Sequence, residues 1–175
     1  MKEVEIKILE INKKEVEAKL ISLGAKKIFE GELEQFFFDN EENSLAFNKK
    51  ILRIRTGEAS EPILNLKTKI KSEFTKTTEE LEIKVSDLEI AKLMLKSFGL
   101  LIHYKSKKQR TSYMLENARI EIDTYLENDS KIPTFLEIEA PEEETIIKTA
   151  EKLGFSKSDC KPWSLNTLKK HYSID

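Results

Sequence analysis

Alternation of polar and apolar positions dominates the chain. Residues 3–9, EVEIKIL, set Glu3, Glu5 and Lys7 on one side and Val4, Ile6 and Ile8 on the other. That two-residue period is the mark of a strand with one buried face. It recurs in KILRIRT (50–56), where Arg53 and Arg55 share a face, in ILNLKTKIK (63–71), in TEELEIKV, and in FLEIEAP (135–141). Further strands are predicted over 26–39, ending in Phe36, Phe37 and Phe38, and over 101–115 and 118–126. Helices interrupt this pattern. Asn12 and Glu15 have capping-box spacing ahead of a helix over 13–23, with Val16, Leu20 and Leu23 on its inner stripe and Gly24 at its end. Ser86 and Glu89 repeat the spacing before a second helix that ends at Gly99. Pro141 suits the first turn of a third, closed by Gly154, and a last helix is predicted over roughly 163–172. DNEENS (39–44) and GEASEP (57–62) read as solvated loops.

The opening returns later in the chain. EVEIK at 3–7 matches ELEIK at 80–84, and in both copies a glycine-terminated helix and then strands follow. Two strand–helix–strand–strand halves predict an internal pseudo-two-fold. Two such sheet halves can close face to face into a barrel, which leaves no open edge. The expected class is therefore α+β, an antiparallel barrel with helices packed outside.

Composition sharpens the picture. The chain has 175 residues, of which 35% are charged, yet its net charge is only −2. The charged share exceeds the roughly 25% of an average globular chain. Near-neutrality argues against a nucleic-acid partner. No apolar run approaches the roughly 20 residues of a membrane span, so no membrane is expected. The single cysteine, Cys160, excludes an internal disulfide and a cysteine-rich zinc site. MKEVEIKILE lacks the features of a signal peptide, and the cytoplasm is the expected compartment.

The charges concentrate on strand faces: Glu3/Glu5/Lys7, Arg53/Arg55, Lys67/Lys69, Glu80/Glu82/Lys84, Lys108/Arg110, Arg119/Glu121/Asp123 and Glu137/Glu139. Like signs are grouped within a strand, where they repel, and the opposite faces are mostly aliphatic. If helices cover the aliphatic faces, the ionic faces must point inward, into a wet cavity, because unpaired buried charge is too costly. Arg and Lys bind phosphate oxygens. Carboxylates suit Mg²⁺ or Mn²⁺, which take oxygen ligands and share them with phosphates. No Walker loop is present to do this with backbone amides. The pattern predicts a site for a polyphosphate with Mg²⁺ or Mn²⁺.

Taken in order, E-x-E-x-K (Glu3, Glu5, Lys7), LRIR (Arg53, Arg55), LNLK (Lys67), EELE (Glu80, Glu82), KKQR (Lys108, Arg110), EID (Asp123) and FLEIE (Glu137, Glu139) span nearly the whole chain. In this set the sequence resembles the CYTH domain, the triphosphate tunnel metalloenzymes, and within it the class IV adenylyl cyclase branch. The resemblance implies one domain over 1–175, an eight-stranded antiparallel tunnel with a triphosphate inside and the C-terminal helix WSLNTLKK plugging one end. It implies that Glu3, Glu5, Glu137 and Glu139 hold the metal. Lys7, Arg53, Arg55, Lys67, Lys108 and Arg110 would clamp the phosphates, Glu80, Glu82 and Asp123 would be further tunnel acids, and Glu3, Glu5 and Lys7 would be catalytic. Relatives often carry arginine two residues before Glu80; here Thr78 stands there, leaving Lys76 or Lys84 to supply the charge. The implied reaction converts ATP to cyclic AMP and pyrophosphate. The alternatives are hydrolysis of inorganic triphosphate, thiamine triphosphate or a nucleoside triphosphate, and non-catalytic binding of ATP or polyphosphate. A monomer and a homodimer both fit.

Overall fold

The computed structural model describes residues 2–58, 60–70 and 74–174. Eight strands are present: β1 (Lys2–Ile8), β2 (Lys26–Asp39), β3 (Lys50–Gly57), β4 (Ser60–Ile70), β5 (Lys76–Lys84), β6 (Leu101–Leu115), β7 (Ala118–Tyr125) and β8 (Phe135–Ala140). They close into an antiparallel barrel in the order β1-β5-β4-β3-β2-β6-β7-β8. Replacing each strand by its counterpart in the other half (β1 with β5, β2 with β6, β3 with β7, β4 with β8) reproduces the same ring read backwards. The expected two-fold is thus built into the pairing. Lys71, the last residue of the predicted fourth strand, lies outside the described residues.

Among the described residues five α-helices accompany the barrel: α1 (Lys13–Ser22), α2 (Ser44–Phe47), α3 (Leu88–Ser97), α4 (Glu143–Lys152) and α5 (Leu165–His171). The aliphatic strand faces point out and are covered. Ile6, Ile8, Ile120, Ile122, Leu136 and Ile138 are buried in one cluster with Val16 and Leu20 of α1 and Ile146 and Ala150 of α4. Phe36, Phe38 and Ile54 form a second, under Leu88, Ala91 and Leu95 of α3. A third closes one end of the barrel, where Leu168 of α5 packs with Tyr125, Ile132 and Phe135. The cover is incomplete: Leu81 and Ile83, on the outer face of β5, stay 69% and 61% exposed. Among the described residues no helix is long and apolar enough to cross a membrane.

Gly24 and Gly99 follow α1 and α3 with φ of +79° and +77°, the left-handed region that glycine enters without strain. They mark equivalent points of the two halves. Elsewhere local chemistry departs from the sequence reading. The cap of α3 is Asp87, not Ser86; its carboxylate accepts from the Ile90 N–H at 2.9 Å. Pro141 lies before the cap of α4, because β8 runs on to Ala140 and the proline, which has no N–H, ends the ladder. GEASEP is shorter as a loop than expected, since β3 reaches Gly57 and β4 starts at Ser60. After DNEENS comes α2, which no periodicity announced and which takes Ser44 as its first residue. The Asp39 carboxylate accepts from the N–H groups of Asn40, Leu45 and Ala46, each at 2.9 Å, and so holds that turn together.

Leu168 is fully buried at the plug. Leu168→Ala is expected to cost about 2–5 kcal/mol, read as a lower urea midpoint at unchanged slope. A midpoint equal to that of the parent would show that α5 does not seal the barrel.

Candidate active site

Because outer positions are aliphatic, the alternate positions of all eight strands face the lumen. Strand register then decides which charges meet. Glu5 of β1 lies directly opposite Glu139 of β8, which lies opposite Arg119 of β7. Lys7 lies opposite Glu137, and Glu137 opposite Glu121. On the far side Arg53 faces Asn65, Asn65 faces Glu82, and Lys67 faces Glu80. Acids therefore line a continuous arc over β7, β8, β1 and β5. Bases line the rest, from Lys67 on β4 through Arg53 and Arg55 on β3 to Lys108 and Arg110 on β6. The enclosed cavity measures about 400 Å³.

The acidic arc is crowded. The carboxylates of Glu3, Glu5 and Glu139 lie within 4.8 Å of one another, and so do those of Glu121, Glu137 and Glu139. Burial, and then Glu121, Glu137, Glu3 and Glu5, push the Glu139 carboxyl well above the usual carboxylate range. Burial and a hydrogen bond with Glu80 raise Glu3 to about 7. Glu5 goes the other way. Burial and Glu137 act to raise it, but Lys7, Lys76 and Lys67 bring it down to about 2. Lys7 donates to Glu5 at 2.8 Å and is ion-paired with Glu137, while Lys76 reaches Glu5 at 2.7 Å. Of the two lysines that could supply the charge absent at Thr78, Lys76 points into the tunnel. Lys84 is 73% exposed and pairs with Glu61.

The basic arc is only partly neutralised. Lys67 is ion-paired with Glu80 and lies 3.2 Å from Glu3. Arg110 donates to Asp123 and pairs with Glu121, and Lys108 reaches Asp123 at 2.7 Å. Burial, then Arg110, lower the Lys108 ammonium to about 8. Asp123 is fully buried behind these two cations and does not line the cavity, so it orients Lys108 and Arg110. Arg53 donates to Asn65 at 3.2 Å and has no carboxylate partner among the described residues, while Arg55 approaches only Glu82, at 3.8 Å. Burial, Arg53 and Arg110 lower the Arg55 pKa, which reflects guanidinium groups facing one another. An anion in the cavity relieves that repulsion.

The residue set fits a divalent cation. Five carboxylates converge, and burial together with the neighbouring acids pushes Glu139 well above the usual carboxylate range. Hard oxygen ligands are what Mg²⁺ and Mn²⁺ take. The sequence-derived candidates Glu3, Glu5, Glu137 and Glu139 all fall in this cluster, and Glu121 joins them. Arg119/Glu121/Asp123 was legible as an ionic row. Which of its two acids meets Glu137 depends on the β7–β8 register, which spacing within β7 does not contain.

The CYTH domain model matches residues 1–162. The chain belongs to the CYTH family. This CYTH chain is similar in structure to the PH1012 protein of Pyrococcus horikoshii OT3, with 26% identity, 95% of this chain and 98% of that chain covered, and a TM-score of 0.78. A Vibrio parahaemolyticus protein aligns at 20% identity over 96% and 97% of the two chains, with a TM-score of 0.80. HpAC1 of Hippeastrum aligns at 20% identity over 98% and 88%, with a TM-score of 0.66. No curated protein sequence matches the chain. CYTH proteins depend on a metal and act on triphosphates, in keeping with the two charged arcs.

Cation binding to this CYTH site must displace the protons on Glu3 and Glu139. Both are raised, so the metal-free cluster holds protons near pH 7 that it releases on binding, and affinity rises with pH. Titrating Mn²⁺ calorimetrically at pH 7 in buffers of different ionisation enthalpy is expected to register proton release. Binding without any release would contradict the assignment.

Proposed function

We propose that the chain is a metal-dependent enzyme of the class IV adenylyl cyclase type, acting on ATP with release of pyrophosphate. The observation that carries this reading is the polarity of the tunnel along its length. At the open end lie Glu3, Glu80, Glu82, Arg119 and Glu139, bordering a recess of about 460 Å³ whose other walls are Met114, Asn117, Ala140 and Pro141. At the plugged end Lys7 and Lys108 stand against the rings of Phe135 and Tyr125, at 5.8 and 5.7 Å. The half-apolar recess suits a nucleoside, with the Asn117 amide able to read a base edge. A nucleoside there brings the α-phosphate beside the acids and sends the β- and γ-phosphates toward Lys7, Lys108 and Arg110.

In this arrangement Arg53, Arg55 and Lys67 hold the phosphate chain in line and neutralise it. The Glu80 and Glu82 carboxylates, at the mouth and outside the set that would hold the cation, are the groups that can take the proton of the attacking ribose 3′-hydroxyl. Lys7, Lys108 and Arg110 stabilise the departing pyrophosphate. A divalent cation, Mg²⁺ or Mn²⁺, held by Glu3, Glu5, Glu137 and Glu139 with Glu121, supplies neutralisation and polarisation of the phosphate oxygens.

A second reading is hydrolysis. The acids lie beside an open mouth and so meet bulk water, and the tunnel can take a bare triphosphate without using the recess. The neighbours support both readings. The Vibrio parahaemolyticus protein is described as a candidate adenylate cyclase, and HpAC1 is described with a dominant triphosphatase activity.

Incubation with Mn²⁺ and ATP is expected to yield cyclic AMP and pyrophosphate. Orthophosphate from ATP or inorganic triphosphate, without cyclic product, would establish the hydrolase instead. Tight binding with no turnover would leave a binding module. In the active protein Glu139→Gln should abolish turnover at unchanged thermal stability. Arg55→Ala should raise KM about ten-fold or more, the loss of one charge-assisted hydrogen bond to phosphate. An Arg55→Ala protein with the KM of the parent would overturn the clamp.

A further inference from the structure

The two halves of the barrel differ in what covers them. The repeat aligns Val4 and Ile6 of β1 with Leu81 and Ile83 of β5. Val4 and Ile6 are buried with Val16 and Leu20 of α1 and with Ile146 and Ala150 of α4. Leu81 and Ile83 hold the same places on the outer face, yet both are exposed. The cause lies in the connections. β8 is followed by α4, which turns back over β8 and β1. The equivalent connection, from β4 to β5, is residues 71–75, too few for a helix of that length. The place that α4 takes over β1 therefore has no counterpart over β5 among the described residues.

α3 borders that vacant place. Leu88, Ala91 and Leu95 form its inner stripe, over Phe36 and Phe38 of β2 and Ile54 of β3. Lys92 lies over the Phe36 ring at 3.8 Å, so its flank of the helix faces β2. Helical spacing puts Ile90, Met94 and Phe98 on the other flank, toward β4 and β5, with Leu93 facing outward. Unlike α1 and α4, α3 buries none of its residues. Nine large apolar side chains are more than half exposed among the described residues, and six of them are Leu81, Ile83, Ile90, Leu93, Met94 and Phe98. Together these present on the order of 700 Å² of apolar surface, more than the roughly 300–600 Å² of the largest patch on an ordinary monomer and close to the roughly 800 Å² that each partner of a stable complex buries.

The vacant place fits an apolar helix, and the chain itself carries one with its outer flank uncovered. If α3 of each copy lies over β5 of the other, the bare flank and the bare strand face are both buried, twice, by one two-fold operation. Such an interface is self-complementary and closes on itself. Its rim carries charge of both signs. Glu79, beside Leu81 on the outer face of β5, and Lys96 of α3 are exposed and have no ion-pair partner among the described residues.

We propose that this face joins two copies of the chain into a symmetric homodimer, in which α3 of each copy takes over β5 of the other the place that α4 takes over β1. The proposal is independent of the reaction in the tunnel, since every residue it uses lies outside the barrel.

Gel filtration with light scattering is expected to give the purified parent twice the 20.3 kDa of one chain. Met94→Glu and Ile83→Lys, one on each side of the contact, should each halve that mass. Both positions are exposed, so each variant should still unfold cooperatively on heating. Phe98→Ala, a milder change, should shift dissociation to higher protein concentration. An equimolar mixture of the Met94→Glu and Ile83→Lys proteins should recover a dimer. One of its two contacts keeps Met94 and Ile83, and the other sets the new carboxylate against the new ammonium group. A pure parent that runs as a monomer, or folded variants that keep the mass of the parent, would overturn the interface. A mixture that stays monomeric would overturn the docking of α3 on β5.

Discussion

Two like-charged pairs sit face to face in the sheet, Glu5 against Glu139 and Glu121 against Glu137. Directly opposed carboxylates on neighbouring strands repel, and the barrel gives them nowhere else to point. The outer faces of the same strands carry Ile6, Ile8, Ile120, Ile122, Leu136 and Ile138, and a one-residue slip would bury the acids under α1 and α4. Apolar burial outside thus pins a register that is electrostatically unfavourable inside. The result is a cluster that keeps protons it would otherwise shed and that a cation stabilises.

Cations answer that constraint, Lys7 and Lys76 from within the acidic arc and Lys67 and Arg110 from the basic one. Lys7, Lys76, Lys67 and Arg110 each spend part of their charge on an acid, which keeps the side chains extended into the cavity before any ligand arrives. Arg53 and Arg55 spend least, and they repel each other. Preorganised donors of this kind gain from a ligand without first breaking strong internal pairs.

Much of this was legible in the sequence because strand parity is a local property. Alternation from Glu3 to Lys7, or from Glu137 to Glu139, fixes which residues share a face, and the repeat at Glu80 fixes the halves. What was not legible depends on pairing between strands. Glu121 enters the carboxylate cluster and Asp123 withdraws behind Lys108 and Arg110 only because of where β7 sits against β6 and β8. Lys76, not Lys84, turns into the tunnel because β5 pairs with β1 at its beginning rather than at its end. The cap at Asp87 and the turn held by Asp39 escaped for another reason. A carboxylate that accepts backbone N–H groups has no periodic signature.

The backward-reading ring has an evolutionary corollary. Under its two-fold, β3 and β4 with Arg53, Arg55 and Lys67 exchange places with β7 and β8 carrying Glu121, Glu137 and Glu139. A tunnel assembled from two identical copies of the first half would carry Arg53, Arg55 and Lys67 twice on those four strands and none of Glu121, Glu137 and Glu139, and one from two copies of the second would be dominated by acids. Joining the halves in one polypeptide frees each to specialise, so the contrast between the β3–β4 wall and the β7–β8 wall is one that an exactly two-fold tunnel could not possess.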